Sequence, residues 1–179
     1  MYLERFLQPV NGKRILDIGC GCADILKLLP AGVEYVGYDL SREYIEYAQR
    51  KYGHRAEFHL KRVKDITLDE KNQFDIVLAD GLLHHLSDTE AAELFRVGHD
   101  ALSDHGFMFT VDPTVNSSQR LISRWISLMD RGMHVRTPEQ YHRIACAVFP
   151  AVEITVIDNV SGRPQTGCFL KCYKTSNRK

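Results

Sequence analysis

The chain has 179 residues, a length that fits one domain whose hydrophobic core is large enough to be stable without disulfides or a structural metal. Lys and Arg together number 23, as do Asp and Glu, so the net charge is zero. This balance argues against a broad electrostatic surface for nucleic acid or an anionic membrane, and we expect no nucleic-acid partner. No apolar run reaches the roughly 20 residues that span a bilayer, and the N-terminus lacks a signal-peptide pattern.

The five cysteines are an odd number, and their spacing fits neither a zinc site nor a redox pair. We therefore expect reduced thiols that pack as small apolar groups in a cytoplasmic protein, with no bound metal.

The predicted elements alternate between strands and helices. Residues 1–10 predict a short helix, the buried apolar run 14–18 predicts a first strand, and 23–29 predicts a helix. A second strand at 35–38 leads to a helix that begins after the N-cap residue Ser41 and stops at the next glycine. The remaining predictions are strands at 56–60, 74–79 and 107–111, helices from Ser87 to before Gly106 and at 138–148, and extended runs at 152–157 and 168–173.

This order predicts an α/β fold, a doubly wound, Rossmann-like and mostly parallel sheet of seven strands, because parallel neighbours need crossover connections. The last two extended runs are separated by a short loop only, so they predict a C-terminal antiparallel hairpin at the sheet edge. Residues 1–179 are thus expected to form a single domain. The stretch 114–136 does not fit the alternation, and we expect a lid-like insertion over the carboxyl ends of the strands.

Two acids and a glycine turn mark the candidate binding positions. Asp17 lies within the first buried strand, where a carboxylate is costly unless specific partners donate hydrogen bonds to it. Gly19 and Gly21 follow, and without a Cβ they allow a sharp turn and a close approach to a ligand. Asp39 ends the second strand about 20 residues beyond the first glycine, a position from which an acid accepts hydrogen bonds from ribose hydroxyls.

At these positions the chain resembles the class I S-adenosylmethionine-dependent methyltransferases that act on small molecules. The run ILDIGCG at 15–21 is similar to the family's cofactor turn, and FDIVLADGLLHHL at 74–86 is similar to its fourth-strand segment. The terminal hairpin is a further point of resemblance. The resemblance implies S-adenosyl-L-methionine as cofactor, in-line transfer of its methyl group, and S-adenosyl-L-homocysteine as product.

Residue by residue, the resemblance implies that Asp17 lies near the methionine amino group, that Asp39 holds the ribose and that Leu40 packs on the adenine. The complete set of implied cofactor positions is Asp17, Gly19, Cys20, Gly21, Asp39, Leu40, Arg62, Val63, Asp80, Gly81 and Leu82. Two positions depart from the family. Ala23 replaces the third glycine of the turn, and Arg62 stands where an acid often reaches the adenine amino group, with Asp65 three residues on.

His84, His85 and His134 are the candidates for a base that removes a proton from the methyl acceptor, although each also has a structural interpretation. Asp112, before a proline, is interpreted as either shaping a turn or contributing to the site. The charged stretch 130–138 is interpreted first as a loop before a helix N-cap at Thr137, and second as a substrate contact.

Other functions remain open at this point. A nicotinamide-dependent oxidoreductase shares the fold, but its turn needs a glycine where this chain has Asp24. A nucleic-acid methyltransferase would be expected to carry a different signature at the end of the fourth strand, where this chain has Ala-Asp-Gly-Leu at 79–82. A non-catalytic S-adenosylmethionine-binding or regulatory protein is the main alternative to an enzyme. For an enzyme, the expected open site suits a small-molecule acceptor or one of lipid or glycan type; the sequence does not indicate an oligomeric state.

Overall fold

The computed structural model describes residue 7 and residues 10–66, 73–115, 133–160 and 165–175. In these ranges seven strands form one sheet in the order β3-β2-β1-β4-β5-β7-β6. The strands are Arg14–Ile18 (β1), Glu34–Asp39 (β2), Glu57–Leu60 (β3), Phe74–Asp80 (β4), Leu102–Pro113 (β5), Ala151–Ile157 (β6) and Gly167–Tyr173 (β7). The first five strands pair in parallel, and β7 pairs antiparallel with both β5 and β6. The predicted doubly wound sheet and its C-terminal hairpin are confirmed.

Among the described ranges 10–66, 73–115, 133–160 and 165–175, three α-helices connect or cover the strands, namely Arg42–Tyr52 (α1), Asp88–Ala101 (α2) and Pro138–Cys146 (α3). Each begins at a side chain that caps its free amides. The Ser41 hydroxyl accepts a hydrogen bond from the third backbone N–H of α1, and Ser87 and Thr137 form full capping boxes at α2 and α3. None of the described helices has both the length and the apolar character that crossing a membrane requires.

The prediction of a helix at 23–29 is wrong, because the structure has only a four-residue 3-10 turn at Asp24–Lys27. Ala23 adopts φ 53° and ψ 34°, a left-handed conformation that costs an alanine about 1 kcal/mol or more and that does not continue into an α-helix. Pro30 then closes the segment, so too few residues remain for a helix to nucleate. Ala23, which replaces the third glycine of the turn, thus keeps a positive φ that glycine adopts more readily.

The predicted start of the fifth strand at residue 107 is also wrong, since β5 begins at Leu102, directly after the last residue of α2. Leu102 pairs with Phe74 before a register shift restores regular pairing. Gly106 lies against β4, and a Cβ on it would be 2.9 Å from the carbonyl oxygens of Phe74 and Asp75. The glycine that suggested a loop on sequence grounds therefore allows close strand contact instead.

The sheet buries a hydrophobic cluster on each face. One face packs against α2 and α3 through residues such as Leu16, Phe95 and Tyr141. The other packs against α1 and the first 3-10 turn through residues such as Ile15 and Leu26. Because side chains alternate along a strand, Asp17 points to the same face as Ile15. Its carboxylate therefore lies at the edge of an apolar layer.

Residues 116–132, the greater part of the predicted lid-like insertion, lie outside the described residues, as does most of the predicted helix at 1–10. The two ends of the insertion are described and meet. Thr114 and Arg136 form a parallel bridge, in which the Thr114 hydroxyl donates to the Arg136 carbonyl oxygen at 2.8 Å. The two described ends of the insertion thus lie side by side at the carboxyl end of β5.

Candidate active site

A cavity of about 250 Å³ opens at the carboxyl ends of β1, β4 and β5. In the strand order, β1 and β4 are the neighbours at which the winding direction of the sheet reverses, and ligands bind at this switch point in open α/β sheets. The lining residues are Asp17, Gly19, Cys20, Gly21, Ile25, Leu78, Asp80, Phe109 and Val111. Five of the predicted cofactor positions therefore surround one space.

The turn after β1 is shaped by two glycines with positive φ, 82° at Gly19 and 51° at Gly21. The backbone N–H groups of Gly19 and Cys20 both donate to the Tyr38 carbonyl oxygen, at 2.7 and 3.0 Å, which fastens the turn to β2. A Cβ on Gly19 would lie 3.1 Å from Cδ2 of Leu82. The turn thus needs glycine for its conformation and has little room for a side chain on the side of Leu82.

Asp39 closes this turn from the end of β2. Its Oδ2 accepts a hydrogen bond from the Gly21 N–H at 2.9 Å, and its Oδ1 accepts one from the Ser41 N–H at 2.7 Å. Each carboxylate oxygen has a second acceptor position, so the group can hold the turn and still accept hydrogen bonds from a ligand. Leu40 follows with 71% of its surface exposed, which leaves a large apolar side chain available beside the carboxylate.

Asp17 is 5% exposed, and its Oδ2 accepts a hydrogen bond from the Tyr35 hydroxyl at 2.5 Å. Burial raises the pKa of Asp17 from 3.8 to about 7; the Tyr35 hydrogen bond opposes this shift, and the nearby carboxylates of Asp80 and Asp39 add to it. Asp17 and Asp80 line the cavity and Asp39 binds the adjoining turn, and no Lys or Arg is among the lining residues to balance these acids. A positively charged ligand would relieve their repulsion and stabilise ionised Asp17.

The predicted adenine-side residues lie at the tips of β2 and β3, outside the cavity lining. Arg62 and Asp65 are exposed on either end of the 3-10 turn Val63–Asp65, while Val63 is half-buried. Exposed Leu60 at the end of β3 adds a second apolar side chain near this edge. The structure therefore places Leu40, Arg62 and Val63 along one rim, with apolar surface available for a planar base.

The three candidate histidines come together after β4. His84 and His85 lie on the 3-10 turn Leu83–His85 with ring centroids 4.0 Å apart, but His84 is buried and His85 exposed. The backbone N–H of His134 donates to the His84 carbonyl oxygen at 3.0 Å. The ring Nδ1 of His84 lies 2.8 Å from Oδ1 of Asp112, at the end of β5.

Comparison with known proteins agrees with this geometry. The sequence profile of a family described as "Methyltransferase domain" matches residues 15–106, more than half of the chain. The chain belongs to the class I S-adenosylmethionine-dependent methyltransferases. The cofactor of this family is S-adenosylmethionine, and the methyltransferase fold accounts for the cavity at the switch point.

Two curated relatives of this methyltransferase are O-methyltransferases. The juvenile hormone acid O-methyltransferase of Bombyx mori is 32% identical over 137 residues, which cover 67% of this chain and 48% of the relative. A ubiquinone biosynthesis O-methyltransferase of Azorhizobium caulinodans is 31% identical over 142 residues, which cover 73% of this chain and 54% of the relative. The chain thus spans about half the length of these relatives.

Among solved structures, the geranyl diphosphate C-methyltransferase of Streptomyces coelicolor, in complex with S-adenosyl-L-homocysteine, superimposes with a TM-score of 0.76 at 13% identity. The superposition covers 97% of this chain and 78% of the other. At this identity the likeness shows a shared methyltransferase fold.

Sequence reasoning missed Arg136, a buried residue of the methyltransferase that holds the histidine turn. Its guanidinium donates to the carbonyl oxygens of Leu83, Leu86 and His134 and binds the Asp88 carboxylate at 2.7 Å. The first interpretation of 130–138, a loop that ends at the N-cap Thr137, is confirmed for the described part of the stretch, and Arg136 within it holds the neighbouring turn. Only the charged composition of the stretch was visible in the sequence, and it gave no sign of which charge turns inward.

Tyr35 was missed as well. It lies on β2 opposite Ile15, on the same face as Asp17, and its long side chain reaches the carboxylate diagonally. A tyrosine in a buried strand suggests only packing until the strand register is known.

We expect Asp17→Asn to stabilise the ligand-free methyltransferase at pH 8. An acid whose pKa is higher in the folded chain loses stability as the pH rises through the interval between the two values, here from 3.8 to about 7. At about 1.4 kcal/mol per pKa unit, the gain in the free energy of unfolding approaches about 4 kcal/mol above pH 7 and fades towards pH 4. Urea denaturation from pH 4 to pH 8 measures it.

The matched control is Asp104→Asn, an equal change of charge at an exposed position, which we expect to alter the unfolding free energy by less than about 0.5 kcal/mol. If Asp17→Asn increases the free energy of unfolding equally at pH 4 and pH 8, the raised pKa of Asp17 is contradicted.

We expect Arg136→Met to reduce the free energy of unfolding by about 2–4 kcal/mol, because one buried and two part-buried carbonyl oxygens lose their donor. Asp88→Asn is the control. The Asp88 side chain is 83% exposed, so its loss as an ion-pair partner should cost less than about 1 kcal/mol. Equal losses in the two variants would show that the ion pair, and not the carbonyl contacts, holds the turn.

Proposed function

We propose that this chain binds S-adenosylmethionine in the cavity at the tips of β1 and β4 and transfers its methyl group to a small-molecule acceptor. The observation that carries the proposal is the convergence of Asp17, Asp39 and Asp80 on a turn whose backbone a ligand can approach closely. S-adenosylmethionine carries a sulfonium and an ammonium group, and two cations match a site with excess negative charge.

The proposed contacts follow the cavity from one end to the other. Asp17 accepts a hydrogen bond from the methionine ammonium group, and Asp80, Gly81 and Leu82 line the same end. The turn Gly19, Cys20 and Gly21 lies along the middle of the cofactor, Asp39 binds the ribose hydroxyls, and Leu40 with Arg62 and Val63 borders the adenine. Five of these eleven positions line the cavity, and Gly81 and Leu82 adjoin lining residues, which supports the assignment.

Methyl transfer then proceeds by in-line displacement. The acceptor atom attacks the methyl carbon, the carbon–sulfur bond breaks with its electron pair moving to sulfur, and S-adenosyl-L-homocysteine leaves as a neutral thioether. The protein contributes by aligning the two reactants and excluding water. His84, His85 and His134 are the proposed bases for an acceptor that must lose a proton, and of these His84 has a carboxylate partner in the structure.

For the acceptor, we propose an oxygen nucleophile on a small molecule, including one of lipid type. Both curated relatives described above are O-methyltransferases, and their names refer to an acid and to ubiquinone biosynthesis. Glycan-type acceptors share the same nucleophilic atom and belong in the same screen.

We expect Asp39→Ala to weaken S-adenosyl-L-homocysteine binding at least 100-fold, because it removes both the ribose acceptor and the hydrogen bond to Gly21. His85→Ala should leave this affinity unchanged, since His85 contributes no atom to the cavity lining. Glu46→Ala, on the exposed face of α1, is the control for lost negative charge. Calorimetry measures all three, and an unchanged Asp39→Ala affinity would refute the ribose assignment.

A screen with methyl-labelled S-adenosylmethionine tests the enzymatic function itself. Phenols, carboxylic acids, lipids and glycans serve as acceptors, and mass spectrometry identifies labelled products. We expect transfer to at least one oxygen acceptor. Cofactor binding without transfer to any acceptor would instead support the alternative of a non-catalytic S-adenosylmethionine-binding protein.

A further inference from the structure

A buried histidine–aspartate pair lies at the carboxyl ends of β4 and β5, outside the lining of the cofactor cavity. The side chains of His84 and Asp112 are 7% and 1% exposed. Oδ1 of Asp112 is 2.8 Å from the ring Nδ1 of His84 and also accepts a hydrogen bond from the His84 backbone N–H at 3.0 Å. One carboxylate oxygen thus holds both the ring and the backbone of the histidine.

This anchoring does not by itself need a charged group. The amide oxygen of an asparagine could accept both hydrogen bonds, whereas an aspartate buries a charge at considerable cost. The other oxygen, Oδ2, is buried and has no hydrogen-bond partner within the part of the chain that the structure describes. Burial raises the pKa of Asp112 to about 6, and the hydrogen bonds from His84 oppose this shift by favouring the ionised form. A carboxylate kept under these conditions has a physical reason if its neighbour becomes a cation during the reaction.

The pair adjoins the cavity through two residues. Val111, which precedes Asp112 in β5, is part of the lining. Gly81 follows the lining residue Asp80, and a Cβ on it would lie 3.8 Å from Cε1 of the His84 ring. Gly81 thus puts no side chain against the Cε1 edge of the ring, next to Asp80 at the cavity end where we place the reactive methyl group.

We propose that Asp112 is a positioning residue that fixes His84 as the general base, and that the acceptor is accordingly a neutral hydroxyl group, such as a phenol, rather than a carboxylate. This inference rests on the proposed function. With Nδ1–H donating to Asp112, the ring nitrogen that can accept a proton is Nε2. Asp112 then stabilises the imidazolium that forms, as an aspartate does in other acid–histidine pairs.

The step balances without a further reactant. The acceptor hydroxyl transfers its proton to Nε2 of His84 as its oxygen attacks the methyl carbon. The carbon–sulfur bond breaks, and its electron pair neutralises the sulfonium. The products are the methyl ether, S-adenosyl-L-homocysteine and a protonated His84, which returns its proton to water. The positive charge thus moves from sulfur to the imidazole facing Asp112.

The acceptor class follows from acidity. A carboxylic acid has a pKa of about 4 and is already ionised at neutral pH, so it needs no base. A phenol has a pKa of about 10 and remains protonated unless a base removes its proton. A buried histidine base that a carboxylate stabilises is therefore useful for a phenol and not for a carboxylic acid.

The first test needs no acceptor. Nitrogen-15 NMR of the imidazole rings, recorded on the full chain with S-adenosyl-L-homocysteine bound, reports the tautomer of His84, with His84→Gln identifying its signals. We expect a proton on Nδ1. A proton on Nε2 in the neutral ring would overturn the inference.

The second test compares Asp112→Asn with wild type on catechol and on lauric acid, using methyl-labelled S-adenosylmethionine. With catechol we expect kcat to fall about 100-fold, within the range that general-base catalysis contributes, while KM for the cofactor stays unchanged. The acidic limb of the pH–rate profile should move to lower pH, because loss of the facing carboxylate favours the neutral ring. The same charge change at Asp104, an exposed residue of β5, is the control.

If Asp112 is purely structural, Asp112→Asn lowers the thermal stability and leaves the acidic limb of the pH–rate profile where it is. That result would contradict the inference. Transfer to lauric acid but not to catechol, transfer to neither, or an unchanged kcat in Asp112→Asn also overturns it. Calorimetry with S-adenosyl-L-homocysteine separates the two proposals. If S-adenosyl-L-homocysteine does not bind, the proposed cofactor site is refuted. If it binds but Asp112→Asn has no kinetic effect, only the proposed role of His84 as a base is refuted.

Discussion

The fastening of the first glycine turn to the second strand is the constraint on which the site depends. The Tyr38 carbonyl oxygen accepts two amide hydrogen bonds from the turn, and the Asp39 carboxylate accepts a third. These bonds satisfy backbone groups that would otherwise face an apolar layer, and they hold the turn open at the sheet edge. Without them neither the cavity nor the position of Asp17 would be defined.

The same region stores electrostatic strain in the absence of a ligand. Asp17 is buried among apolar residues, supported by one tyrosine hydroxyl and repelled by two further acids. Such a group lowers the stability of the protein at neutral pH, and the cationic ligand proposed above would recover that loss as binding energy. Stability and affinity are therefore coupled at this residue, as they often are where a site is prepared for a charged ligand.

Much of the fold could be predicted because it depends on patterns of residues that are close together in the sequence. Buried apolar runs, glycine turns and N-cap residues identified the sheet, the hairpin and all three α-helices. The failures were places where tertiary contact decides. The glycine at 106 allows β4 and β5 to approach, so β5 begins five residues before its predicted start, and the left-handed backbone at Ala23 reduces a predicted helix to one turn.

The site was predictable only where residues are adjacent in sequence or carry a family resemblance. The turn at 19–21 and its two acids were found in this way, and five of the predicted residues line one cavity. Tyr35 and Arg136 were not, because their contacts with Asp17 and Asp88 span 18 and 48 positions of the chain. These contacts depend on strand register and on the direction of a buried side chain. Asp112 was noticed, but its partner could not be named without the spacing of β4 and β5.

The bridge between Thr114 and Arg136 has a consequence for the segment between them. A segment whose two ends are joined by hydrogen bonds can change in length or composition at little entropic cost to the remainder of the domain. Changes in that segment therefore need not disturb the pairing of the strands or the turn that follows β1.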